Sequence, residues 1–181
     1  MKAHGSEVRC IFLVGFMGAG KTSVGRALGA RLAWPFEDLD DRIRSREGRS
    51  IEEIFRVSGE QEFRRAEHQA LHEIVASREV IPRIVGLGGG AFVQPANASM
   101  IQQLKAITVF LDASVDELWR RCQNDRIRRP LQKDEQQFRS LYNQRRPKYM
   151  MATYRVETTD KTIDQVAEEV AVELGLNGKK E

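Results

Sequence analysis

Residues 10–22 read CIFLVGFMGAGKT, an apolar run closed by a glycine-rich octapeptide. Gly15, Gly20, Lys21 and Thr22 satisfy the spacing G-x-x-x-x-G-K-S/T. An apolar strand precedes this loop, and the helical spacing of Val24, Leu28 and Leu32 follows it. In that setting glycines let the backbone turn its N–H groups inward, and the helix N-terminus faces the same space. The loop therefore suits the phosphates of a nucleotide. Gly18, Ala19, Gly20 and Ser23 supply the cradle, Lys21 reaches the β- and γ-phosphates, and the Thr22 hydroxyl is placed to ligate magnesium. The octapeptide leaves open whether the phosphate is released to water, read as a switch, or handed to an acceptor.

The bulk properties set wide bounds. A chain of 181 residues, 41% hydrophobic and 30% charged, suits one folded domain with a layered core. The 29 basic residues are answered by 26 acidic ones, so the net charge of +3 makes no case for a nucleic-acid partner. An anionic small-molecule substrate accounts for local positive charge equally well. Cys10 and Cys122 are far apart and lack metal-site spacing, so they read as structural thiols of a reducing compartment. The polar start MKAHGSEVRC and the short run CIFLV fit neither a leader peptide nor a membrane span. A cytoplasmic protein without a membrane partner is expected.

Apolar runs alternate with amphipathic segments, the pattern of a parallel sheet covered by helices. Strands are expected at 10–14, 35–40, 84–87, 107–111 and 154–158. Helices are expected at 21–32, 50–58, 60–76, 97–104, 114–122, 134–142 and 162–174. Ser50 with Glu53, Ser114 with Glu117, and Thr162 with Gln165 have capping-box spacing, and Gly175 suits a C-terminal cap. Residues 123–135, QNDRIRRPLQKDE, are basic, aperiodic and interrupted by Pro130, and read as a loop.

Several segments carry chemistry. The second strand ends in DLDD, and strand alternation would send Asp38 and Asp40 the same way, towards the crevice at the strand ends. One could steady the magnesium shell and the other could accept a hydrogen bond from a substrate hydroxyl; helix capping by Asp40 is the competing reading. Asp112, closing ITVFLD, reads as a strand-end residue beside the Ser114 cap in preference to a second metal-side aspartate. GLGGGA (86–91) lets backbone and ligand approach closely. His68 and His72 stand four apart without a third ligand, and read with Trp119 and Met150–Met151 as surface or packing residues.

Taken in order, GFMGAGKTSVGRALGARL, FEDLDDRI, GRSIEEIF, GEQEFRRAE, GLGGGA, RRPL and RRPKY resemble the motifs of the shikimate kinases, over roughly Ile11 to Glu173. The resemblance implies a single kinase domain, 1–181. Its α/β fold would be a P-loop three-layer sandwich with a five-stranded parallel sheet of order 2-3-1-4-5 and helices on both faces. A substrate-binding segment near 40–70 and a lid near 123–135 are implied with it. The implied reaction is ATP-dependent phosphorylation of the 3-hydroxyl of shikimate, on the route to chorismate and the aromatic amino acids, with Mg2+ as cofactor. Asp40 would hold the reacting hydroxyl, and Asp38 would join Thr22 on the metal side. Arg64 and Arg145, each the first of an arginine pair, would bind the shikimate carboxylate as bidentate forks. Gly88, Gly89 and Gly90 would press against the substrate, and Glu67 would orient an arginine. Arg121 would meet the adenine. Arg129, on the lid, would stabilise charge on the transferring phosphate beside Lys21. A monomer is implied. Two other readings stay open: a kinase of gluconate or a nucleoside monophosphate, and a non-catalytic nucleotide-binding protein.

Overall fold

Strand β1 (Cys10–Val14) is apolar on both faces, and Ile11, Phe12 and Leu13 are fully buried. Such a strand is stable only in the middle of a sheet covered on both sides. In the computed structural model, which describes residues 10–77, 81–104, 106–124 and 134–176, β1 occupies that place. It pairs in parallel with β3 (Arg83–Gly86) on one side and β4 (Ile107–Asp112) on the other. β2 (Phe36–Asp38) lies outside β3, and β5 (Tyr154–Glu157) outside β4. All pairs are parallel, and the order is β2-β3-β1-β4-β5.

Seven helices connect and cover the strands among the described residues: α1 (Lys21–Leu32), α2 (Leu39–Glu47), α3 (Ile51–Ala76), α4 (Pro95–Gln103), α5 (Val115–Asn124), α6 (Glu135–Tyr149) and α7 (Ile163–Glu173). α1 packs on α7 and on β3, while Phe16, Phe138 and Tyr142 meet edge to face beside the phosphate loop. Thr162 and Gln165 form the reciprocal capping box that starts α7. No described helix is long and apolar enough to cross a membrane.

Three elements differ from the expectation. The second strand stops at Asp38 instead of running to residue 40, because the Asp38 side chain accepts the Asp40 N–H and caps α2; a helix start here agrees with the competing reading, but its cap is Asp38 and not Asp40. Asp40 and Asp41 then fill the first turn, where carboxylates favour the helix dipole. Helix α6 continues past Tyr142 and carries Pro147 in its last turn. The expected helices 50–58 and 60–76 run together as α3, broken locally at Gly59 (φ 81°, ψ 173°), a backbone conformation essentially confined to glycine. The break sets Phe55 and Phe63 together, with ring centroids 4.6 Å apart.

Candidate active site

The phosphate loop follows directly from the end of β1. Gly18 and Gly20 adopt left-handed conformations (φ 79° and 86°), and Gly20 caps α1. Lys21 is 9% exposed, and its Nζ donates to the carbonyls of Gly15 and Phe16, both at 2.9 Å. The Thr22 hydroxyl donates to Asp38 Oδ2 at 2.6 Å. Gly18, Gly20, Lys21, Thr22 and Ser23 line a cavity of about 380 Å³, together with Arg120 and Arg121. Ala19 is buried behind it, with its N–H bonded to the Phe16 carbonyl. The Arg121 guanidinium is held by Glu117 (2.7 Å) and by the Thr158 hydroxyl and carbonyl (3.0 and 2.8 Å), which presents it at the cavity edge.

A second cavity of about 370 Å³ brings together Asp40, Arg64, Gly88, Gly89, Gly90 and Arg145, residues up to 105 apart in sequence (145 − 40). Thr22, Asp38, Asp40 and Gly88 line both cavities. Asp38 reaches this wall from the last position of β2, with one oxygen on Thr22 and the other on the Asp40 N–H. Asp40 reaches it from the first turn of α2, so the two aspartates converge by a strand-to-helix turn and not by strand alternation. Asp40 Oδ1 lies so near Gly88 that a Cβ there would fall 2.6 Å from it.

The arginine pairs separate cleanly. Arg64 Nη1 donates to Glu67 Oε2 at 2.9 Å, and its Nη2 donates to Glu60 at 3.1 Å, whereas Arg65 turns outward to Glu62. Arg145 is buried against the glycine turn and donates to the Gly89 carbonyl at 3.2 Å, while Arg146 turns to Asp112 at 2.7 Å. Tyr149 OH also donates to Gly89 O, and burial pushes that phenol up to about 12. Glu67 is 1% exposed; burial pushes its carboxyl up to about 7 against the pull of Arg64. Asp112 is buried at the end of β4 between Arg146 and Arg155 and lines neither cavity.

Phe55 and Phe63 form an apolar wall of the second cavity, and Met17, Arg26, Arg44 and Ile51 join its lining. Sequence reading missed all of these. Phe55 and Phe63 carry an i, i+8 signal that only the Gly59 break turns into a shared surface. Arg129 and the other basic residues of 125–133 lie outside the described residues, and so does most of the expected lid.

The sequence profile described as "Shikimate kinase" matches residues 17–174. The chain belongs to the shikimate kinase family. Over 172 residues it is 38% identical to a shikimate kinase of Nitrosospira multiformis, covering 93% of this chain and 86% of that one. The solved structure of a shikimate kinase from Acinetobacter baumannii in complex with shikimate superposes with a TM-score of 0.85 at 34% identity, covering 97% of each chain. A gluconokinase from Sinorhizobium meliloti shares the fold at a TM-score of 0.65, but at 20% identity over 92% of this chain and 91% of that one. As a member of the shikimate kinase family this chain is a P-loop kinase, an enzyme that uses ATP.

Proposed function

We propose that this protein transfers the γ-phosphoryl group of ATP to the 3-hydroxyl of shikimate, releasing ADP and shikimate 3-phosphate. The observation that carries the reading is the shared wall: the phosphate-loop cavity and the arginine-lined cavity meet at Thr22, Asp38, Asp40 and Gly88. A donor and an acceptor bound on either side of that wall would face each other across Asp40. Phosphoryl transfer is driven mainly by such positioning and by neutralisation of charge.

Each residue then has a task. ATP would draw the Lys21 ammonium from two neutral carbonyls to charged phosphate oxygens, where hydrogen bonds are stronger. Asp40 accepts the hydrogen bond of the attacking hydroxyl. Arg64 and Arg145, from α3 and α6, grip the carboxylate of the acceptor, and Phe55 and Phe63 face the carbon ring. Glu67 keeps the Arg64 fork aimed, and Arg121 borders the nucleotide base. The hydroxyl of Thr22 and the carboxylate of Asp38, hydrogen-bonded to each other, are hard oxygen donors suited to magnesium and its water shell. When bound, the ion would neutralise charge on the β- and γ-phosphates. Both cavities are lined by this one chain, so a single kinase domain suffices for the transfer, and a monomer acting on small soluble substrates in the cytoplasm completes the reading.

A coupled assay of ADP release, run with shikimate, gluconate and a nucleoside monophosphate, tests the reading. Shikimate alone should accelerate release above the basal rate, and chelation of magnesium should abolish it. Acceleration by gluconate or the nucleotide, with none by shikimate, would overturn it.

A further inference from the structure

Asn97, near the start of α4, is only 1% exposed, yet it lines neither cavity. Both ends of its amide are engaged. Nδ2 donates to the Ala91 carbonyl at 3.1 Å, and Oδ1 lies 2.7 Å from Nδ1 of His68 on α3. The reverse orientation of the amide would set its oxygen against the Ala91 carbonyl. Asn97 Oδ1 therefore accepts, and His68 must carry a proton on Nδ1, which one neutral tautomer and the imidazolium both do.

Ala91 closes the glycine turn, since its N–H bonds back to the Gly88 carbonyl at 3.0 Å. One helical turn before His68, the same helix carries Arg64, whose guanidinium lies against Gly90; a Cβ on Gly90 would meet Nη1 at 2.5 Å. Helix α3 thus places the guanidinium and, through His68 and Asn97, also ties down the turn on which it rests. We propose that Asn97, oriented by His68, is a positioning residue that sets the Gly88–Ala91 turn against Arg64 and Asp40. This deepens the acceptor-site reading and rests on it. It also gives His68 a task beyond packing. Gly88 lines both cavities, but Gly89 and Gly90 line only the arginine-lined one, so the larger effect falls on the acceptor side.

Asn97→Asp keeps the size and the acceptor facing His68, but it turns an oxygen towards the Ala91 carbonyl. His68→Leu leaves the Asn97 amide without its orienting donor, and His68→Gln restores a side-chain N–H. Each variant of the whole chain is measured for shikimate kcat and KM, for ADP affinity, and for amide hydrogen exchange at residues 88–91. For Asn97→Asp, shikimate KM should rise about 10- to 100-fold, exchange at 88–91 should quicken, and ADP affinity should stay within about twofold. His68→Leu should shift the same quantities less, and His68→Gln should lie near the unsubstituted chain. Unchanged KM and exchange in Asn97→Asp would overturn the proposal, as would equal loss of ADP and shikimate affinity. If Asn97→Asp does not fold, His68→Leu decides on the same readouts. If the unsubstituted chain does not phosphorylate shikimate, the acceptor reading fails, and the exchange at 88–91 still decides the role of Asn97.

Discussion

Alanine at position 90 would isolate the contact between the glycine turn and Arg64. Gly90 is not in the left-handed region, so alanine is conformationally permitted and only the added methyl matters. That methyl would lie 2.5, 2.8 and 2.9 Å from Nη1, Nη2 and Cζ of Arg64. Ordinary contacts are about 3.5–4.0 Å, so the guanidinium must withdraw by roughly 1 Å. It is not free to do so without cost, because it is bonded to the buried Glu67 at 2.9 Å and to Glu60 at 3.1 Å. The Glu60 pair is solvent-exposed and contributes little. Breaking the Glu67 pair outright would cost about 3–5 kcal/mol, an upper bound here because the Arg64 side chain can bend. A displacement of about 1 Å at a substrate-binding group costs up to about 100-fold in rate, or roughly 2.7 kcal/mol. Steady-state kinetics should therefore show Gly90→Ala with shikimate kcat/KM lowered by about 10- to 100-fold. Nucleotide affinity should be preserved, because Gly90 does not line the phosphate cavity. A variant with unchanged shikimate KM, or with ATP and shikimate affinities lowered together, would refute this account of the Arg64 contact.

Three further outcomes follow from the same geometry. Glu67 is raised from 4.5 in the unfolded chain to about 7 in the fold, so the fold binds the extra proton between these values. Its contribution is fully present below about pH 4.5 and is lost as pH rises through about 7, by roughly 3 kcal/mol at most. Melting curves of Glu67→Gln across that window should lack this slope; an identical pH dependence in both proteins would contradict it. Asp40→Asn should lower kcat by about 100-fold or more with little change in nucleotide binding, as measured by single-turnover kinetics and titration, and near-normal turnover would remove Asp40 from the chemistry. Gly59→Ala meets no atom within 4 Å but forces alanine into φ 81°, ψ 173°, which should cost about 1–3 kcal/mol and register as a lower Tm. A melting temperature equal to that of the unsubstituted protein would mean the break at Gly59 relaxes freely.

Much of this molecule was legible along the chain because its signals are local. An apolar strand, glycines at fixed offsets and a following helical period act over a few residues, and they determine the phosphate loop and its cradle before any tertiary contact forms. The parallel sheet was legible for the same reason, since alternating apolar runs and amphipathic segments have few ways to bury themselves. Asp40, Arg64, the glycine turn and Arg145 were found by the order of their motifs. Their meeting in one cavity was not a property of any one segment.

The motifs named the first member of each arginine pair, and the tertiary structure supplied the physical reason, because Arg65 and Arg146 find outward or lateral partners in Glu62 and Asp112. It turned the D-x-D pair from an alternating strand end into a capped helix start, since the choice depends on where β2 leaves the sheet. It also made Asn97 a strut, through His68 on a helix 29 residues away and the Ala91 carbonyl six residues back. Sequence by itself determined most of the elements and the donor cradle, whose interactions close within a few residues of each other. Only the packed sheet and helices assembled the acceptor side, because contacts such as that of Arg145 with the Gly89 carbonyl join groups that the chain must first fold to bring within hydrogen-bonding distance.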